Sequence, residues 1–217
     1  FSKCRHIIII PEYKEPLHIL RRTLDNLCLQ DIDKNKLIVV LATEGKDPES
    51  DETGALMKKE YGKKFGAFLV TKHVLTPHEV MGKSSNMAWA AKEAVRQTGS
   101  FVNPKYTTIT SCDADAMIHP KYFSYLSYKF LTDEQNAFHF YQGAILFYSN
   151  IWRIPMPNKL FNTINSIWNL AQLSQQSKFI NFSTYSLSLA TVMEVGYWDV
   201  DVIPEDYHLF FKVYFTK

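Results

Sequence analysis

Apolar runs and amphipathic stretches take turns along the first half of the chain. Residues 6–10 form an apolar run rich in isoleucine that stops at Pro11. Leu17, Leu20, Leu24 and Leu27 recur at helical spacing, so residues 17–29 are predicted as a helix with Pro16 at its first turn. Residues 37–42 read as a second buried strand, 53–64 as a helix, and 67–71 as a strand. Residues 83–97 read as a helix with Met87, Ala91, Ala94 and Val95 on one side, and 106–110 as another strand. Strands that are apolar on both faces and separated by helices predict a parallel sheet covered on both sides. In such sheets ligands sit beyond the carboxyl ends of the strands. The places to inspect are therefore residues 11–15, 43–47 and 111–115.

The alternation is lost after residue 120. Residues 138–149 are aromatic and strand-like. Residues 157–178 carry a long helical pattern with Leu160, Ile164, Ile167, Trp168 and Ala171 on one stripe, the usual mark of a core-facing helix. Its other face is Asn, Ser and Gln, a weaker case for a helix lying on anionic lipid. Residues 182–193 are mixed, and two adjacent acids open an apolar helix over 204–212. The expectation is one domain, 1–217, with a ligand-binding half (1–119) and a second half (120–217) that completes a cleft.

Composition narrows the class. The 217 residues are 46% hydrophobic and 21% charged, which excludes a disordered tail. With 24 basic against 22 acidic residues the net charge is only +2, so non-specific nucleic-acid binding is not expected. Cys4, Cys28 and Cys112 stand far apart, arguing against a disulfide framework or a structural zinc site and for a reducing compartment. No apolar stretch is long enough to span a bilayer. Phe at position 1 suggests a fragment of a longer chain.

Three clusters could carry chemistry. Asp113 and Asp115 follow the 106–110 strand at i, i+2, which puts both carboxylates on one face of an extended backbone. Two hard oxygen donors facing one way suit Mg²⁺ or Mn²⁺ on a diphosphate. The competing role is a turn in which one Asp caps a helix starting near Pro120. Glu205 and Asp206 begin an apolar helix; they could simply favour a helix N-terminus, or supply a general base. Gly82-Lys83-Ser-Ser-Asn86 resembles the end of a phosphate loop, but Pro77 stands where its first glycine belongs, so a P-loop NTPase is not expected. Lys83 could still pair with a phosphate, or be a solvent lysine beside a capping Asn86.

In order and spacing, these pieces resemble glycosyltransferase family 2, the inverting GT-A enzymes, and within it the membrane-associated polysaccharide-synthase-like branch. Ile10-Pro11-Glu-Tyr13-Lys-Glu15-Pro resembles its Pro-x-Tyr-Asn-Glu nucleotide loop. Lys83-Ser-Ser-Asn86 resembles its Lys-x-x-Asn helix start, and Asp113-Ala-Asp115 its metal triplet. Tyr141-Gln142-Gly143 resembles the segment before the acceptor site, and Gly196-Tyr-Trp198-Asp with Pro204-Glu205-Asp206 its Glu-Asp catalytic motif.

The resemblance implies a GT-A, Rossmann-like fold and transfer of a sugar from a nucleotide-sugar donor, with a UDP-sugar the leading choice. Pro11, Tyr13, Glu15 and Glu44 would line the base and ribose pocket. Lys83 and Asn86 would face the diphosphate, and Asp113 and Asp115 would hold the metal, with Asp115 the more direct ligand. Asp206 would be the base beside Glu205, and Gln142 and Trp198 would meet a carbohydrate or lipid-linked acceptor, although core packing suits Trp198 equally. The site would lie at the cytoplasmic face of a membrane, with flanking transmembrane segments outside this chain. Lys14 and Thr43-Glu44 depart from the family's Asn and Asp-Asp, and the Gln-x-x-Arg-Trp motif of processive members is absent. A sugar-nucleotide-binding scaffold without catalysis and a metal-dependent nucleotidyltransferase are the other readings.

Overall fold

The computed structural model describes residues 3–149, 151–175 and 180–216. Four parallel strands form the body of the sheet: β1 (Arg5–Glu12), β2 (Leu37–Glu44), β3 (Ala67–His73) and β4 (Thr107–Ser111). β5 (Tyr185–Ser188) adds an antiparallel edge, giving the order β3-β2-β1-β4-β5. Between the strands lie α1 (Leu17–Cys28), α2 (Ser50–Tyr61) and α3 (Lys83–Thr98). α4 (Tyr122–Thr132), α5 (Met156–Leu173), α6 (Leu189–Glu194) and α7 (Glu205–Thr216) follow. This is a mixed α/β, Rossmann-like architecture of the GT-A kind.

The isoleucine run explains the layering. Side chains alternate across a strand, so Ile7 and Ile9 face one way with Ile38 and Val40, against α3, α6 and α7. Ile8 and Ile10 face the other way with Val39 and Leu41, against α1, α2 and α4. Every residue of β2 is buried, as a central parallel strand requires. The close packing of α2 on β3 depends on Gly54, where a Cβ would come within 2.7 Å of Val70 Cγ1.

Several expectations move. β1 runs past Pro11 to Glu12, because its last residues still pair with β2 (Pro11 with Ala42, Glu12 with Thr43) after β4 has ended opposite Ile9. The β4 side of that end is thus left open, and the strand order reverses there. α2 begins at Ser50 and not at residue 53, with Asp51 and Glu52 in its first turn where the helix dipole favours acids. Residues 138–149 form no strand: Tyr141 makes a single bridge to Ser186, and the place beside β4 belongs to β5. α5 departs most from its pattern. Within it only Ser166 and Asn169 are buried, while Leu160, Ile164, Ile167 and Trp168 point to solvent. Its last expected turn, residues 176–178, lies outside the described residues.

Candidate active site

A cleft of about 450 Å³ opens at the carboxyl ends of β1, β2 and β4. Pro11, Tyr13 and Glu15 come from the β1–α1 loop and Glu44 from the end of β2. Lys83 and Asn86 come from the first turn of α3, and Asp113 and Asp115 from the loop after β4. The eight residues assigned to donor binding therefore line one cavity. A second cavity of about 620 Å³ shares Asp113 and Asp115 with the first. Its other wall is Gly143 to Phe147 with Ser183 and Thr184.

The acids are connected by short polar contacts. Lys83 Nζ lies 2.7 Å from Asp113 Oδ1 and 2.8 Å from Glu205 Oε1. Ser183 Oγ donates to Asp113 Oδ2, and the Ser183 backbone N–H donates to Asp206 Oδ2 at 3.1 Å. Segments about ninety residues apart thus meet across one lysine and one serine. Burial works against the Lys83 ammonium, but the two carboxylates outweigh it and its pKa is raised. For Asp113 burial pushes upward, while the Lys83 charge and the bonds from Lys83 and Ser183 prevail and hold the carboxyl below its usual range. Glu205 is buried deeper; burial raises its pKa despite Lys83, and the neighbouring Asp206 adds to the rise.

The competing bland roles can now be judged. Neither Asp113 nor Asp115 caps α4, whose N-cap is Lys121 and has no side-chain cap bond. Lys83 is not a free solvent lysine. Asn86 does not cap α3; its Nδ2 donates to the Ala42 carbonyl of β2 at 2.8 Å, and its buried Oδ1 has no partner among the described residues. A Cβ on Gly82, just ahead of α3, would meet no atom within 4 Å, so packing does not require that bare backbone beside the cleft.

Two assignments change. Trp198 is 2% exposed and its indole N–H donates to Tyr185 Oη at 2.9 Å, so it is a core residue and cannot stack on an acceptor. Gln142 does not line the second cavity; its Oε1 accepts from the Phe182 N–H at 3.1 Å and fixes the strand of chain that leads to Ser183. His208, two residues beyond Asp206, pairs with Asp199 at 2.8 Å.

Two residues were missed. Ser183 gives no sequence signal: its importance lies in a left-handed backbone (φ 60°) that turns both its N–H and its hydroxyl to acids. Glu12 had a signal, an acid at the end of a buried strand. It lines the cleft at 2% exposure, and its Oε1 accepts from the Glu15 N–H at 3.1 Å while its Oε2 has no partner among the described residues. Burial raises its pKa. Glu44 is likewise buried, and its carboxylate lies 3.2 Å from His73 Nδ1.

Among the described residues no group of three or more His, Cys, Asp or Glu side chains could by itself hold a metal ion. The donor set still fits a cation that arrives with a phosphate. Asp115 is exposed, faces both cavities and has no ion-pair partner among the described residues, and Mg²⁺-type sites often use one or two carboxylates with the rest from substrate and water.

No protein-family model matches the sequence, and comparison with curated proteins finds no significant match. Solved structures do resemble it. The mannosyltransferase PcManGT from Pyrobaculum calidifontis, in complex with GDP-Man and Mn²⁺, superposes with a TM-score of 0.59 at 19% identity, covering 96% of this chain and 51% of that one. TarS from S. aureus gives a TM-score of 0.59 at 13% identity over 97% of this chain and 33% of its own. A TarS structure with UDP-GlcNAc gives 0.56 at 14% identity over 97% and 53%. The chain has the GT-A-like fold of these glycosyltransferases and spans between a third and just over half of their lengths.

Proposed function

We propose that this chain is the nucleotide-sugar-binding and catalytic part of an inverting glycosyltransferase. The observation that carries the reading is the meeting of Asp113, Asp115, Glu205 and Asp206 around Lys83 and Ser183 at the switch point of the sheet. Structures of the same fold hold GDP-Man with Mn²⁺ and UDP-GlcNAc, which supports a nucleotide-sugar donor and a divalent metal here.

In this reading the nucleoside lies against Pro11, Tyr13, Glu15 and Glu44, with Glu12 as an added acceptor. Lys83 faces the diphosphate, with Asn86 beside it on the first turn of α3. Mg²⁺ or Mn²⁺ held by Asp115 and Asp113 would, when bound, neutralise charge on the leaving diphosphate. Lys83 adds a fixed positive charge beside it. Asp206 lines neither cavity but is bonded to the N–H of Ser183, a residue of the second cavity's wall; from there it takes the proton from the acceptor hydroxyl, on the face of the sugar opposite the diphosphate, so the anomeric configuration inverts. Glu205 keeps Lys83 in place. Ser183 holds the metal-side acid and the base at a set separation. The second cavity combines Asp113 and Asp115 with Met117, Ile145, Leu146 and Phe147, a lining suited to a lipid-linked sugar acceptor at the cytoplasmic face of a membrane.

The test is a panel of UDP- and GDP-sugars, each with Mn²⁺, Mg²⁺ or chelator, read by product formation and by melting temperature. A donor that binds the native state raises the melting temperature in proportion to the logarithm of its concentration. One donor should raise it with metal and be consumed with release of nucleoside diphosphate. Consumption of a nucleoside triphosphate with release of pyrophosphate would instead establish a nucleotidyltransferase, and binding without turnover on any acceptor a sensing or scaffold domain.

A further inference from the structure

α5 is built inside out. An ordinary surface helix turns its apolar stripe to the core and its polar face to water. Here the polar face is the anchored one. Ser166 Oγ accepts the Phe147 N–H at 3.0 Å, and Asn169 Oδ1 accepts the Ile145 N–H at 3.4 Å. The apolar stripe is outward: Leu160, Phe161, Ile164, Ile167 and Trp168 are each more than half exposed. Just ahead of the helix Trp152 is 87% exposed, the most open large hydrophobic side chain among the described residues. So large a contiguous apolar surface marks an interaction face, not scatter.

We propose that this face lies on an anionic phospholipid bilayer. Charge selects the occupant. The sequence has no Asp or Glu between Glu134 and Glu194, and the segment carries Arg153, Lys159 and Lys178. Lys159 Nζ sits 5.9 Å above the Trp152 ring, a cation beside an interfacial aromatic. Tryptophans at both ends of an aliphatic stripe, with cations and no acids, match a helix lying in the headgroup boundary. The helix lies on the bilayer and does not cross it: no described helix is long and apolar enough to span. A further consequence rests on the transferase reading. The 143–147 wall of the second cavity hangs from α5 by the two bonds above, so an acceptor anchored in the bilayer would meet the cleft at the membrane surface.

The test is flotation of the 217-residue chain, without donor or metal, on phosphatidylcholine vesicles with and without phosphatidylglycerol. The chain should float with the phosphatidylglycerol vesicles. Phe161→Glu with Ile164→Glu should lower that binding by about tenfold or more, since each buried apolar side chain carries more than one decade. Arg153→Gln with Lys159→Gln should lower it on the anionic vesicles only. Both variants should keep the wild-type melting temperature, because these side chains are solvent-facing. A wild-type chain that stays with the soluble fraction on both vesicles overturns the proposal. So does unchanged flotation of the Phe161/Ile164 variant, or a dimer seen by light scattering that this variant dissociates, which would make a second copy the occupant. Since no sugar nucleotide is present, each outcome is independent of the transfer reaction.

Discussion

The two walls of the cleft are made differently. One wall is the parallel sheet, where Pro11 and Glu44 stand at the ends of β1 and β2 and Asp113 two residues past the end of β4, on strands that are largely buried. Their positions follow from register. The other wall, residues 133–149 and 180–184, has almost no ladder of its own and depends on single polar bonds: Gln142 to Phe182, Ser166 to Phe147, Ser183 to Asp113 and Asp206. Strand ends place groups by packing, which is distributed and tolerant. Single bonds place them by a few atoms each, so their loss should change chemistry more than fold.

The largest expected effect sharpens that contrast. Asp206→Asn should lower transfer by about 10²–10⁴-fold while donor affinity stays close to wild type, measured by product formation and by titration of the nucleotide sugar. A collapse of donor affinity with unchanged turnover of bound donor would move the base elsewhere.

Next comes the lysine that joins the walls. Lys83→Ala leaves Asp113 and the buried Glu205 without their counter-charge. Because 24% of the Lys83 side chain is exposed, the low end of the range for a broken buried pair applies, about 3 kcal/mol. That corresponds to a fall of roughly 6–12 °C in melting temperature for a chain of this size. Adding Glu205→Gln should recover part of the loss, since Gln is not a stranded buried charge. Equal melting temperatures for the single and double variants would show that Glu205 is not desolvated.

A third test probes the sheet side alone. His6 is fully buried between Thr108 Oγ1 and Ser127 Oγ, each 2.8 Å away, and burial, with the nearby Lys36 charge, lowers its pKa from 6.5 to about 3. Between those values the unfolded chain binds one more proton than the folded chain at this residue. Stability contributed by neutral His6 is therefore present above pH 6.5 and is lost as pH falls toward 3, by up to about 1.4 kcal/mol per pH unit. Urea unfolding from pH 7 to 4 should show a shallower slope for His6→Gln than for wild type. Identical slopes would mean that His6 is protonated in the fold.

The smallest effect concerns Ser183. Its φ of 60° is a region that L-residues other than Asn and Asp rarely adopt, at a cost of about 1 kcal/mol or more. Ser183→Gly removes that cost along with the hydroxyl, whereas Ser183→Ala removes only the hydroxyl. The Gly variant should be the more stable by about 1 kcal/mol in chemical unfolding, and both should transfer more slowly than wild type.

What was legible in the sequence follows the same division. The four parallel strands, α1, α3 and the acids after β1, β2 and β4 could be read, because a buried parallel strand is a run of apolar residues and its ligand loop begins where the run ends; β5, within the mixed residues 182–193, could not. The meeting of Asp206 with Asp113 was implied only by the family resemblance, and the link that makes it, the left-handed backbone of Ser183, gives no sequence signal. Trp198 was open to two readings because an indole suits a sugar face and a core equally; the Tyr185 hydroxyl decides for the core. α5 misled because periodicity reports that one face is apolar, not which way that face points. Residues 138–149 misled because aromatic alternation becomes a strand only where a ladder forms; β5 takes the place beside β4, and these residues meet its outer edge at the single Tyr141–Ser186 bridge.

The central claim is that Asp115 and its neighbours receive a nucleotide diphosphate with a divalent cation. Calorimetric titration of UDP and GDP into wild type and Asp115→Ala, each with Mn²⁺ and with chelator, tests it most directly. The account predicts that one nucleotide binds wild type more tightly with Mn²⁺ by about tenfold or more, and that this gain disappears in Asp115→Ala. Equal affinity of wild type with Mn²⁺ and with chelator, or a metal gain that survives in Asp115→Ala, would contradict it.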